Sequence, residues 1–282
     1  MAESRPSGRT ALELRILSAL AMIPPALGAV WFGWPWLPLL VAAGGAVTAW
    51  EWGRLAGDGR PRARATIMVV AALAAIAAAA VGAFVEACGL AVLGAIAAAL
   101  AASRERIWAG VGASWIIAGA VAFLWLATPR DGGRTTLLWL LAAVWATDIL
   151  AYAAGKWIGG WKLAPRLSPN KTWAGFVGGL IGAAGVGVAT SAIVGTRAAA
   201  LVALSVAIGL AAHGGDLVES FAKRHFGVKD ASGLIPGHGG LLDRLDGLIA
   251  AAIAAALFGL AIGERPWLNF WRHIEGVTTL AK

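Results

Sequence analysis

Between His213 and Gly247 the sequence gathers carboxylates, ammonium and guanidinium groups, a histidine and a run of glycines, in a chain that is otherwise oily. Five of its 15 acidic residues fall here, Asp216, Glu219, Asp230, Asp243 and Asp246, beside Lys223, Arg224, Lys229 and Arg244. Carboxylates interleaved with Lys and Arg suit a metal ion and phosphate groups at or near a membrane surface. Asp243 and Asp246, three apart where an apolar run begins, would share one side of a helix and be favoured there by its N-terminus. Two such carboxylates repel unless a cation lies between them; the plainer alternative is a capping acid with a neighbour. Asp216, beside Gly214 and Gly215, can close the same site from a facing helix, or simply be a solvated acid at a helix end. Three carboxylates that leave room for water suit Mg²⁺, which binds phosphates as well as protein. Lys223, Arg224 and Lys229 supply the opposite charge, although any one of them alone reads as an ordinary membrane-surface cation. Gly237-His238-Gly239-Gly240 is a turn whose backbone N–H groups can approach an anion, with His238 as a further donor.

A second constellation lies upstream. Asp148 sits inside the apolar run from Trp145 to Tyr152. An acid at that depth is costly and marks a functional site by default, the alternative being a helix-packing hydrogen bond. Gly155-Lys156, Gly159-Gly160, Lys162 and Ser168-Pro169-Asn170-Lys171-Thr172 follow. The last five residues combine a turn, two hydroxyls, an amide and an ammonium, a plausible grip on phosphate or nucleotide, though Ser-Pro-Asn by itself is only a turn signal.

The elements that must position these residues are membrane helices. The 282 residues are 59% hydrophobic and only 13% charged, with a mean hydropathy of +0.76. Apolar runs of about 17–22 residues recur, the length that crosses a hydrocarbon core of roughly 30 Å. Helices apolar on every side have no face to show water, so the predicted class is an all-α polytopic transmembrane bundle. Nine spans are expected, at about 15–33, 36–53, 65–85, 87–103, 107–128, 135–155, 174–194, 198–215 and 247–263. Residues 1–134 would hold spans one to five, and 135–282 a catalytic region with loops 156–173 and 216–246. Pro24-Pro25 should kink the first span, which reads as a retained helix and not as a cleaved signal. With the N-terminus cytoplasmic, the inner segments hold most of the 23 Lys and Arg residues, the outer ones only Arg130, Arg134, Arg197, Arg265, Arg272 and Lys282. That is the positive-inside pattern, and it turns both motif-bearing loops to the cytoplasm, where nucleotides are. Gly178 and Gly182 form a small-xxx-small pair suited to close helix packing. Cys88 is the only cysteine, so no intrachain disulfide is possible and redox chemistry is not expected.

These residues resemble a known family. Ser220-Phe-Ala-Lys223-Arg224, then Lys229-Asp230, Pro236-Gly-His238-Gly-Gly240 and Asp243-Arg244-Leu-Asp246 are similar to the pattern of phosphatidate cytidylyltransferases, also called CDP-diacylglycerol synthases. Asp148, Ala151-Tyr152, Gly155 and the Ser168–Thr172 element resemble it too, whereas the first half of the chain matches only as generic membrane helices. Ala174 departs from the pattern, standing where many relatives would carry an acid. The resemblance implies a reaction, CTP plus phosphatidic acid giving CDP-diacylglycerol and pyrophosphate, in an integral protein of the inner membrane. By resemblance, Asp216, Asp243 and Asp246 would hold divalent metal. Lys223, Arg224, Lys229, His238 and Arg244 would hold phosphates and stabilise the leaving group. Ser168, Asn170, Lys171, Thr172 and Ser220 would contact substrate, and Asp148 would support the metal or orient a basic residue. The family also implies a second cation and a homodimer, neither legible in the residues; no nucleic-acid partner is expected.

The chemistry fits on independent grounds. A lipid phosphate is already anionic, so no strong general base is needed, and the obstacle is repulsion between two phosphates that cations relieve. Other readings are weaker. Asp243-x-x-Asp246-Gly247 superficially resembles the CDP-alcohol phosphatidyltransferase motif, but Ala250-Ala251 stands where an Ala-Arg pair is expected. A CTP-using lipid kinase or an isoprenoid-phosphate cytidylyltransferase is a closer rival. A transporter should line a path with charge across the bilayer, and spans three, four, seven and nine have almost none in their cores.

Overall fold

The computed structural model describes residues 22–56, 61–128, 133–195, 198–235 and 239–261. Among these, nine helices follow one another: α1 (Met22–Phe32), α2 (Trp36–Leu55), α3 (Pro61–Ala80), α4 (Phe84–Ala101), α5 (Arg106–Leu126), α6 (Gly133–Trp157), α7 (Trp173–Val194), α8 (Ala198–His225) and α9 (Leu242–Ala261). Seven of them, α3 to α9, are long and apolar enough to cross a membrane, so the chain forms a membrane-type helical bundle. Between α6 and α7 lies a small antiparallel hairpin, β1 (Lys162–Ala164) and β2 (Ser168–Thr172), with Lys162 opposite Thr172 and Ala164 opposite Ser168.

Small residues let the helices approach. A Cβ on Gly178 would lie 2.5 Å from the Ala154 Cβ, and one on Gly182 2.5 Å from the Ala146 carbonyl oxygen. The small-xxx-small pair of α7 is thus spent on packing against α6 within the chain. Gly215 on α8 lies against the Asp246 carbonyl and the Ala250 Cβ, where an added Cβ would come to 2.5 and 2.7 Å. That approach brings α8 and α9 together where their acids lie.

One end of the bundle gathers four connections: α2–α3, α4–α5, α6–α7 and α8–α9. Glu51 of α2 bonds the start of α9. His225 at the end of α8 meets Glu105 before α5 at 3.1 Å and stacks on Trp108. Arg224 donates to the Leu167 carbonyl in the hairpin turn at 3.1 Å. At the other end, Arg134 lies over the Trp31 ring.

Two sequence expectations need correction. Residue 215 does not end the eighth helix: α8 continues to His225, so the first third of the expected 216–246 loop is helix. Leu217, Val218, Phe221 and Ala222 supply apolar surface at helical spacing, and no glycine or proline interrupts them until Gly227. There Gly227, at φ +70°, closes the helix, its N–H bonding the Arg224 carbonyl and the Val228 N–H the Lys223 carbonyl, a Schellman stop. Likewise α9 begins at Leu242, five residues before the expected span, and the expected 156–173 loop holds a hairpin.

Candidate functional site: an acidic cluster between two helices and a hairpin

Because α8 runs on past 215, residues 216, 219, 220 and 223 fall on one helical face. Asp216 and Glu219 from that face and Asp246 from the first turn and a half of α9 each offer a carboxylate oxygen, all within 4.8 Å of one another. Glu219 is 1% exposed and Asp246 9%. The Glu219 Oε1 finds no hydrogen-bond partner among the described residues. Asp246 Oδ1 accepts from the Gly247 N–H at 2.7 Å.

Cations surround this trio in distinct ways. Lys171, on β2, places its Nζ 2.6 Å from Asp216 Oδ2, so the hairpin delivers an ammonium to the edge of the cluster. Lys223 lies between the two helices, its Nζ 2.5 Å from Glu219 Oε2 and 2.5 Å from Asp243 Oδ1. Arg224 turns away to two carbonyls, those of Leu167 and Val228, and fastens the hairpin to the end of α8. Lys229 and Arg244 are exposed. Asp148 on α6 lies within electrostatic reach of Asp216, Lys171 and Arg244.

Asp243 does not join the trio. Its Oδ1 is taken by Lys223, and its Oδ2 accepts from the backbone N–H groups of Ala231 and Gly240 at 3.0 and 2.7 Å. It thereby shapes the loop between α8 and α9. The third member of the cluster is instead Glu219, which the sequence reading passed over. The signal was available: Glu219 stands one turn after Asp216 and one before Lys223, a spacing that matters only once helix is carried past residue 215. Ser220 is buried, its hydroxyl 3.4 Å from Asp216 Oδ1. Thr172 is buried as well, and its hydroxyl accepts from the Gly175 N–H at 3.0 Å, capping α7. Ser168 is half-buried and Asn170 exposed on β2. His238 lies outside the described residues.

Three mutually close carboxylate oxygens, two of them from buried groups, repel strongly unless a proton or cation lies among them. All are hard oxygen donors, and the Glu219 Oε1 left without a partner is what a ligand awaiting an ion looks like. The set fits Mg²⁺ or a similar divalent cation, with a phosphate completing its shell.

The sequence model of the cytidylyltransferase family matches residues 13–261. The chain belongs to that family. A protein of Brucella abortus named phosphatidate cytidylyltransferase is 42% identical over 160 residues, 56% of this chain and 59% of that relative. Proteins of the same name from Staphylococcus saprophyticus and Mycobacterium leprae are 45% identical over 128 residues and 39% over 144. These matches cover 45% and 51% of this chain, and 49% and 46% of those relatives. The chain thus spans roughly half to three fifths of the length of the curated relatives it matches.

Proposed function

We propose that this protein transfers the cytidylyl group of CTP to phosphatidic acid, giving CDP-diacylglycerol and pyrophosphate. The observation that carries the reading is the convergence of Asp216, Glu219 and Asp246 from two helices, with an ammonium brought alongside by a hairpin, at one end of an apolar bundle. Membership of the cytidylyltransferase family and the name shared by the similar proteins, phosphatidate cytidylyltransferase, support it. In the reaction, an oxygen of the lipid phosphate attacks the α-phosphorus of CTP. A new P–O bond forms, the bond to the bridging oxygen breaks, and pyrophosphate leaves with the electron pair. No proton has to be removed from the nucleophile, so the protein's work is positioning and charge neutralisation.

Asp216, Glu219 and Asp246 would hold Mg²⁺, which when bound offsets the charge of the phosphates. Lys171 would exchange its pairing with Asp216 for a phosphate oxygen. Lys229 from the α8–α9 loop, Arg244 from the first turn of α9, and His238 would meet phosphates. Lys223, already held by two carboxylates, fixes the distance between α8 and α9 and lowers the repulsion among the acids. Ser168, Asn170 and Ser220 would contact substrate, and Asp148 would set the field at Lys171.

The test uses purified protein in detergent–lipid micelles with Mg²⁺, phosphatidic acid and CTP labelled at either the α- or the γ-phosphate. The expected outcome is α label in the lipid and release of pyrophosphate. Label from the γ position in the lipid would instead make the protein a kinase, and no lipid-dependent release from folded protein would end the proposal.

We also propose that the hairpin and the α8–α9 loop face the cytoplasm, as the Lys and Arg distribution suggests. With Cys88 replaced by alanine, a cysteine at Arg166 should react with a membrane-impermeant maleimide in inverted vesicles and not in right-side-out ones. The opposite labelling would reverse the orientation.

A further inference from the structure

We propose that Glu51, near the end of α2, is a positioning residue for the reaction: it caps α9 from across the bundle and so sets where Asp243 and Asp246 stand. The residue lies in a half of the chain that carries no recognisable motif. Glu51 is 4% exposed, and both of its oxygens are engaged by one short region far away in sequence. Oε1 accepts from the Ser232 hydroxyl at 2.5 Å and from the Leu241 N–H at 3.0 Å. Oε2 accepts from the Leu242 N–H at 2.7 Å.

The first N–H groups of a helix have no partner within it and are normally met by a local side chain. Gly239-Gly240-Leu241, which lead into α9, bear no side-chain acceptor. Glu51 does that work in trans, and its charge is favoured at a helix N-terminus. A second observation agrees. A Cβ on Gly240 would sit 2.7 Å from Glu51 Oε1 and 3.0 Å from the Ser232 Oγ, so the absence of a side chain at 240 is what admits the carboxylate. Ser232 in turn accepts from the Leu234 N–H at 3.2 Å, tying the loop that precedes α9 to the same anchor. The axial position of α9 is thereby fixed one to five residues before Asp243 and Asp246. A shift of the helix start would move both acids together relative to Asp216, Glu219 and Lys223 on α8.

The inference rests on the cytidylyl-transfer reading, so the experiment separates the two. Wild-type turnover of CTP with phosphatidic acid is measured first; its absence overturns the reading, and the positioning role with it, before any variant is made. Given turnover, Glu51→Gln keeps the size of the side chain but turns one acceptor into a donor. In either orientation of the amide, at least one of the Leu241 and Leu242 N–H groups then faces another donor. Amide exchange at Leu241 and Leu242 should accelerate by roughly tenfold or more. The kcat should fall roughly 10- to 100-fold, the scale of a slightly misplaced reacting group, with KM for CTP unchanged. Ser232→Ala, which removes the hydroxyl's bonds to Glu51 and from the Leu234 N–H but leaves the carboxylate, should lower kcat in the same sense and combine non-additively with Glu51→Gln. Faster exchange with unchanged kcat would reduce Glu51 to a merely structural cap, and unchanged exchange would remove the cap altogether. Either result overturns the proposal.

Discussion

Asp246→Ala is expected to lower turnover of CTP by roughly a thousandfold, in line with removal of a principal electrostatic group from a reacting site. Asp246 is the one member of the acidic trio contributed by α9, and it is buried. Without it, Asp216 and Glu219 remain on a single helix with no carboxylate from α9 to complete the cluster. Asp246→Asn, which keeps the volume and the Gly247 contact, should fail almost as badly if charge is what matters. A readout independent of activity is Mn²⁺ binding, followed by electron paramagnetic resonance. Both variants should weaken it by at least the roughly 10- to 100-fold that loss of even an outer partner costs a metal site. A variant that binds Mn²⁺ as the wild type does would remove Asp246 from the cluster's function.

The second large effect concerns stability. Lys223→Met is expected to destabilise the folded protein by about 3–5 kcal/mol, the usual cost of removing one partner from a buried ion pair. The lysine side chain is 11% exposed and its partners Glu219 and Asp243 are 1% and 6% exposed, so solvent can do little to compensate. The two acids would not suffer equally. Asp243 keeps the N–H groups of Ala231 and Gly240 on its second oxygen, whereas Glu219 has no other hydrogen-bond donor among the described residues and a bare Oε1. Glu219→Gln in the Lys223→Met background should therefore recover much of the lost thermal midpoint without restoring turnover. An unchanged midpoint in the single variant would mean that the α8–α9 contact does not depend on this bridge.

How much of this was legible beforehand depends on the physics behind each signal. Length and apolarity fix a membrane helix almost alone, and α3, α4, α5, α6 and α7 fall close to their expected spans. The eighth and ninth were misjudged because a charge was taken to end a span. In fact the helix outlasts the apolar stretch, and Asp216, Glu219 and Lys223 ride on its extension. Charged residues can leave the membrane without leaving the helix, and hydropathy cannot see the difference. Asp216 and Asp246 were found from residue type and motif. Glu219 was missed for want of that extension, and the bonds of Asp243 to Lys223 and to two backbone N–H groups could not be read because they depend on a folded loop. Glu51 had no local signal at all. Its partners lie 190 residues away, and an acid near the end of a span reads like any other interfacial charge.

The length of α8 sets a depth as well as a direction. Its 28 residues reach about 42 Å at 1.5 Å each, more than the roughly 30 Å of a hydrocarbon core. Asp216 comes eighteen residues after Ala198, about 27 Å along the axis, and Lys223 about 10 Å farther. Laid across the leaflets with Ala198 at one interface, the helix would act as a ruler that puts the carboxylates near the level of the opposite phosphates. Under the proposed reaction, a lipid held at that depth would keep its tails in the apolar layer and meet the nucleotide without being lifted from its leaflet.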